Sequence, residues 1–461
     1  MTKIDQNCLT MKKILHEQLL ASTSHGLPNA FRTPHNSMRI MWVISFLVST
    51  CLCSYLIIES VSQYLEYDVV TKVRIVNEVE SEFPRVTICN FNKFTSEFAL
   101  SMFNNHSNFS FDDLEAASLS FTNEKKKLLS YSLNETLLSC TFSLTKCDWT
   151  DFEWTFNTFL GNCFVFNSGK NFFGEPIPVK KLKQPGKFVG LQLEVFAGIS
   201  VQAEKFNKGF TGLYVLLGNN TFKTIYEDEQ EILASSGTLT HVIVQRTILS
   251  QMEKPYSECL SSSDSVLYRK ILSLNVSYSR MDCVSLCRQL EVERTCQCFD
   301  NHYPQILLNN ECHSRKEILC KNERHLSFSV NNLSQECKEL CPQECKKILF
   351  SAITSQMNHL TNEKAKQYSE NSLLKSKFEK ENLTYDDIKR SVVNLNVFYD
   401  RLSFTEVTEK PSFTFVDLIS NVGGTFGLFI GISLLSVLEI VEIIFELLLL
   451  FKSKLSIHVK A

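Results

Sequence analysis

FTFVDLISNVGGTFGLFIGISLLSVLEIVEIIFELLLLF, residues Phe413 to Phe451, is an apolar run interrupted by glycines and by four acids. About 20 helical residues cross a bilayer, so a stretch this long either leaves the hydrocarbon or breaks and tilts within it. Gly423, Gly424, Gly427 and Gly431 favour a break. Each costs a helix about 1 kcal/mol relative to alanine and permits close backbone approach. In lipid, unwound backbone survives only where protein or a water-filled cavity covers it.

The acids sharpen this reading, because a carboxylate at bilayer depth costs on the order of 2.5–3.5 kcal/mol unless it faces an interior. Asp417 and the three glutamates beyond it need polar surroundings. Glu439, Glu442 and Glu446 are spaced by three and four, so they share one helical face, while Ile440, Val441, Ile443, Ile444 and Phe445 cover the rest. A one-sided acidic stripe on an apolar helix is the pattern of an inner cation path. The alternative places Glu442 and Glu446 at the inner interface, snorkelling or pairing with Lys452 and Lys454.

Working outward, residues 1–39 carry five Lys/Arg against two acids, and 452–461 carry three lysines against none. Both ends are therefore expected to be cytoplasmic. Residues 40–58, Ile40 to Ile58, are uncharged between Arg39 and Glu59, long enough for a first span that doubles as the targeting signal. No cleavable leader is expected ahead of it. The 461 residues allow two or three domains, and 413–451 forms the second span. The mildly acidic balance between the ends offers no basic patch, so nucleic acid is excluded as a partner.

Residues 59–412 are expected outside the cell. Seven N-x-S/T sequons fall there, at Asn105, Asn108, Asn134, Asn219, Asn275, Asn332 and Asn382. Fourteen of the 17 cysteines fall there too, an even number suited to disulfides in an oxidising compartment. Zinc is the rival for Cys283-x3-Cys287, Cys296-x-Cys298 and Cys337-x3-Cys341-x3-Cys345, but extracellular thiolates are usually oxidised. Spacing alone leaves the connectivity open.

Alternating β-rich runs in Val70–Asn90, Phe164–Ile199, Gly212–Leu217 and His241–Ile248 predict one central sheet. An insertion on that sheet is expected over about 92–160, and a cysteine-dense lobe over about 259–345, with helical periodicity in Val284–Val292 and Gln335–Leu349. A polar helical stretch over Thr361–Glu381 leads to a strand at Val392–Tyr399, which continues through Ser403–Val407 to the second span. The fold class is thus a membrane protein with two transmembrane helices and a large disulfide-rich α+β extracellular domain. Glu78, Glu80, Glu82, Asp400 and Glu406 are proton or calcium sites or, more simply, solvated surface. His106, His241, His302, His313, His325 and His359 are scattered and support no metal site.

Phe83-Pro84-Arg85-Val86-Thr87-Ile88-Cys89-Asn90, His25-Gly26, Gly431-Ile432-Ser433 and Ser436-Val437-Leu438-Glu439 together resemble the degenerin/epithelial sodium channel superfamily, of the acid-sensing or peptide-gated type. The resemblance covers nearly the whole chain. It implies a homo- or heterotrimer whose extracellular part has a palm sheet, a finger insertion and a disulfide-rich thumb. It also implies the pairs Cys89–Cys163, Cys140–Cys147, Cys259–Cys345, Cys283–Cys341, Cys287–Cys337, Cys296–Cys320 and Cys298–Cys312. Gly431, Ile432 and Ser433 would form the selectivity filter, although Ile432 stands where the family usually has alanine or serine. Ser420, Asn421 and Gly424 would lie at the gate, Gly427 near the amiloride contact, and His25 and Gly26 at the N-terminal gating pair. Acid-sensing members carry a histidine directly before the Val-Thr-Lys after the first span; here Asp68-Val69 precede Val70-Thr71-Lys72, which weighs against proton gating.

The function expected is a plasma-membrane sodium channel, sensitive to amiloride and opened by an extracellular ligand such as a neuropeptide or protons. Its partners would be the lipid bilayer and related subunits. No cofactor is expected beyond the permeant Na+. The alternative is a two-span receptor or adhesion protein that conducts nothing, a role that would not require the acidic stripe. A purine-receptor-like channel shares the layout but not the motifs. Nothing resembling a nucleophile, metal constellation or phosphate loop suggests an enzyme.

Overall fold

The computed structural model describes residues 27–105, 118, 121–157, 160–198, 211–220, 230–260, 266–274, 278–300, 302–307, 310–312, 314–330, 333–378 and 382–433, with single positions at 435, 436, 438, 441 and 445. They fall in two compact units, Met1–Val70 with Glu409–Ala461, and Thr71–Thr408.

In the first unit a helix runs from Asn36 to Leu65, longer at both ends than the apolar stretch 40–58. Glu59 ends the apolar stretch but not the helix, because neither glycine nor proline occurs before Leu65. Among the described residues it is the one helix long and apolar enough to cross a membrane. Ile40, Ile44, Leu47, Tyr55 and Ile58 are exposed along it, as lipid-facing positions would be. It packs against a shorter apolar helix, Phe415–Phe429. The Tyr64 and Phe415 rings lie 6.4 Å apart. Just beyond the helix, the Ser412 N–H donates to the Asp68 carbonyl at 2.8 Å.

The second unit is built on β1 Val69–Asn77, β2 Ser81–Glu82, β3 Arg85–Asn90, β4 Leu137–Phe142, β5 Thr145–Lys146, β6 Phe152–Asn157, β7 Gly161–Phe166, β8 Lys181–Leu182, β9 Leu191–Phe196, β10 Gly212–Gly218, β11 Gln230–Ser235, β12 Thr238–Ser250, β13 Lys346–Asn358 and β14 Val392–Pro411. The single sheet expected from alternation is instead two main sheets. One has the order β13-β12-β14-β9-β4-β5, with β1 also on β14; the other has the order β11-β10-β3-β7-β6. Alternation marks a core-facing side on each strand but not the neighbour it pairs with, so it cannot separate two sheets that share one core. That core joins Val86, Ile88, Phe166 and Val215 of one sheet to Leu193, Val242, Val397 and Tyr399 of the other. Phe83 is completely buried within it, its ring 5.0 Å from that of Phe142 and 6.2 Å from that of Tyr399. The Phe-Pro that opens the FPRVTICN motif thus supplies the core's central aromatic.

Two expected boundaries move. β4 and β6 are sheet strands, so they do not belong to the insertion drawn over 92–160. β4 is only six residues long, with serine, cysteine and threonine in it, too short and polar to announce itself. The helix expected over Gln335–Leu349 stops at Leu340. Pro342 has no N–H to continue it, and from Lys346 the chain pairs with β12 in a register that runs from Ser250↔Lys346 to Thr238↔Asn358. Arg280–Cys296 is a helix, and Thr361–Glu381 resolves into Asn362–Ser369 and Ser372–Phe378.

Seven disulfides join Cys89–Cys163, Cys140–Cys147, Cys259–Cys345, Cys283–Cys341, Cys287–Cys337, Cys296–Cys320 and Cys298–Cys312, the pairs that the resemblance implies. Five of them staple the helical lobe, whose own core is Leu267, Ile271, Leu286, Leu290 and Phe328.

Candidate functional site

The helix Phe415–Phe429 starts on a reciprocal cap. The Asp417 N–H donates to Thr414 Oγ1 at 3.2 Å, and the Thr414 N–H and hydroxyl donate to Asp417 Oδ2 at 2.9 and 2.6 Å. This threonine-to-aspartate box satisfies N–H groups that have no partner within the helix. Asp417 therefore has a capping role, and its polar surroundings are the helix start itself. The signal was present as Thr414-x-x-Asp417 before an apolar run.

Ser420, Asn421, Gly424 and Gly427 follow on this helix, all exposed. Ser420, Gly424 and Gly427 are spaced by four and three, so they share a face. A Cβ at Gly423, Gly424 or Gly427 would meet nothing within 4 Å in the single chain.

The helix ends where the sequence predicts a break. Ile430 caps it, its N–H donating to the Phe426 carbonyl at 3.1 Å, and Gly431 turns to φ +75°. That left-handed conformation costs an L-residue about 1–2 kcal/mol, which explains the glycine. The Ile432 N–H reaches back to the Phe426 carbonyl at 3.3 Å. Gly431, Ile432 and Ser433 are consecutive and non-helical, and positions 435, 436, 438, 441 and 445 are helical again. At the restart, the Ser433 N–H donates to Ser436 Oγ at 3.1 Å and the Ser436 N–H to Ser433 Oγ at 3.2 Å. The Ser436-Val437-Leu438-Glu439 motif by itself assigns Ser436 no role. Its Ser-x-x-Ser spacing is the signal.

Glu439, Glu442, Glu446, His25 and Gly26 lie outside the described residues, as do Asn108, Asn275 and Asn332. Of the other sequons, Asn134 and Asn382 are exposed, Asn219 is half-buried, and Asn105 closes the helix Glu97–Asn105.

The acids around β1 and β14 are less free than solvated surface would be. Glu78 pairs with Arg246 at 2.5 Å, and Glu406 with Arg74 at 2.5 Å. The Arg246 guanidinium also lies 5.0 Å over the Phe404 ring. Glu82 sits 3.8 Å from Lys181, whereas Glu80 and Asp400 are exposed.

Two of the histidines expected to be scattered meet. His302 Nδ1 and His325 Nε2 each lie 2.8 Å from a different oxygen of Asp300, and Lys321 Nζ lies 3.3 Å away. Burial pushes the Asp300 carboxyl up, but the hydrogen bonds from the histidines and the charge of Lys321 outweigh it and hold the group well below the usual carboxylate range. Sequence distance hid this cluster, because the disulfides Cys296–Cys320 and Cys298–Cys312 bring its loop to the helix Arg315–Val330. A cavity of about 20 Å³ among Ile88, Tyr131, Asn162, Phe164 and Phe196 has room for one water.

The family profile described as "Amiloride-sensitive sodium channel" matches residues 19–443. The chain is 24% identical to the human bile acid-sensitive ion channel, across 94% of this chain and 86% of that one. It is 26% identical to the epithelial sodium channel subunit beta of Xenopus laevis across 69% of this chain, spanning 48% of that subunit. A proton-activated chloride channel solved by cryo-EM overlays at a TM-score of 0.36 and 8% identity, across 88% of this chain and 98% of that one, too weak a likeness to bear on the fold.

Proposed function

The chain belongs to the amiloride-sensitive sodium channel family, a family of membrane ion channels and not of enzymes, and from that premise we propose that it forms a sodium-selective, amiloride-sensitive channel of the plasma membrane. The observation that carries the proposal is the apolar helix Phe415–Phe429, interrupted at Gly431 and resuming after Ser433. A spanning helix gains nothing from exposing backbone in lipid, whereas a permeation path uses backbone carbonyls and small side chains to replace water around a cation.

In this reading the chain crosses the membrane twice with both termini in the cytoplasm, and three copies or related subunits surround the path. Ser420, Asn421 and Gly424 form the gate region, Gly427 contacts amiloride, and Gly431, Ile432 and Ser433 form the filter. Glu439, Glu442 and Glu446 line the inner cation path, and His25 and Gly26 influence opening. The opening stimulus is an extracellular ligand: a neuropeptide, protons or, from the printed name of the human relative, a bile acid.

The test is expression of the full chain in oocytes, with peptides, acid and bile acids applied in turn. Stimulated inward current that disappears when external sodium is replaced by a large impermeant cation, and falls with amiloride, is the expected result. A stimulated current that ignores the substitution would overturn sodium selectivity, and a surface-expressed chain that conducts under none of the stimuli would favour the non-conducting receptor.

A further inference from the structure

We propose that Ser436 is a positioning residue for the permeation path: its hydroxyl fixes Ser433 and thereby sets the point at which the second membrane helix resumes after the Gly431 break. The inference rests on the reading of Gly431 to Ser433 as the filter. Four contacts are involved in the argument. The Ser433 N–H donates to Ser436 Oγ at 3.1 Å, the Ser436 N–H donates to Ser433 Oγ at 3.2 Å, and the two hydroxyl oxygens are 3.2 Å apart. On the other side of the break, the Ile432 N–H is held by the Phe426 carbonyl. Ser436 is buried, 6% exposed, while Ser433 is exposed.

The first N–H groups of any helix have no partner within it. In a membrane they cannot turn to bulk water, and each unpaired group costs several kcal/mol. The place where a broken helix restarts is therefore decided by the side chains that satisfy those groups. Here Ser433 and Ser436 do so reciprocally, a capping box in which serine stands where glutamate or glutamine is usual. A short neutral hydroxyl performs this role without adding a charge beside a cation path. One end of the three-residue link Gly431–Ser433 is set by the left-handed turn at Gly431 and the other by the reciprocal bonds between Ser433 and Ser436.

Ser433 has two possible contributions, as a contact for the ion and as half of the cap, and substituting it alters both. Ser436 isolates the cap. The full chain is expressed as Ser436→Ala and Ser436→Thr, surface protein is measured by biotinylation, and the sodium-to-potassium permeability ratio is taken from reversal potentials. Ser436→Ala is expected to move the ratio at least threefold toward unity. Ser436→Thr, which keeps the hydroxyl, is expected to retain it. Should the alanine variant stay inside the cell, Ser436→Cys keeps the volume but accepts hydrogen bonds poorly, and it is expected to shift the ratio in the same direction.

An alanine or cysteine variant at the surface with the unaltered ratio overturns the assignment, as does a threonine variant as impaired as alanine. Ser433→Ala distinguishes the two levels. A change with Ser433→Ala but none at Ser436 removes only the positioning role, whereas no change at either position removes the filter reading as well.

Discussion

Asp300 is a heavily committed carboxylate of the cysteine-rich lobe. It is 3% exposed, and each oxygen lies 2.8 Å from a histidine nitrogen, with Lys321 3.3 Å away. Gln289 fastens the same residue's backbone, its amide donating to the Asp300 carbonyl and accepting the Asp300 N–H, both at 3.2 Å. Its carboxyl is depressed in the folded chain, so it adds full stability above the ordinary carboxylate range, near pH 4, and loses that contribution as the pH falls below it. Asp300→Asn is expected to remove on the order of 3 kcal/mol at pH 7, since it leaves the Lys321 ammonium without its buried counter-charge. The expected signature is a lower unfolding temperature at neutral pH and a flatter acid limb, measured on the solubilised full chain. Equal acid sensitivity in both proteins would show that Asp300 is not the group being titrated. Sequence could not supply this site, because a lone aspartate and two histidines in different elements have no period to detect.

At the scale of elements, periodicity resolved what is local and failed where partners are remote. The apolar helix after Arg39, the helix over Val284–Val292 and the interruption at the second apolar stretch were all legible, because run length, a 3.6-residue period and glycine act through neighbouring residues. β13 was not. Ile348, Leu349, Phe350 and Ile353 satisfy a helical spacing as readily as a strand, and only β12, about a hundred residues earlier in the chain, decides between them. The helix break makes a prediction that follows from backbone geometry. Gly431→Ala places a Cβ at φ +75°, at a cost of about 1–2 kcal/mol, and introduces the residue with the best helix propensity. Both effects push toward an uninterrupted helix. Stimulated sodium current is expected to fall at least tenfold at unchanged surface density, and a variant with normal current would mean that the left-handed turn is not needed for conduction.

At the scale of the molecule, the even number of cysteines foretold a disulfide-bonded lobe, but their spacing could not order them; the pairing came from the family resemblance, and its physical logic is visible only in the assembled helices. Cys283 and Cys287 lie one turn apart on the helix Arg280–Cys296, while Cys337 lies on, and Cys341 just after, the helix Leu333–Leu340. Cys283–Cys341 and Cys287–Cys337 are therefore antiparallel rungs, nested inside Cys259–Cys345. Nesting changes what each rung contributes. Taken alone, Cys283–Cys341 closes a loop with a sequence separation of 58, worth about 4 kcal/mol in the chain-entropy account. With Cys287–Cys337 intact it closes a ring of only about eight residues, worth roughly 2.5 kcal/mol. Replacing Cys283 and Cys341 together by serine is expected to leave a folded, surface-expressed protein with a modestly lower unfolding temperature. Removing Cys259–Cys345, Cys283–Cys341 and Cys287–Cys337 together leaves the lobe only Cys296–Cys320 and Cys298–Cys312, at a cost on the order of 10 kcal/mol, comparable to the entire stability of a typical domain. Surface biotinylation and thermal unfolding of the single-pair and triple-pair variants measure this non-additivity. If the triple variant loses no more than the sum of the three single-pair losses, the rungs act independently and the ladder is not a cooperative unit.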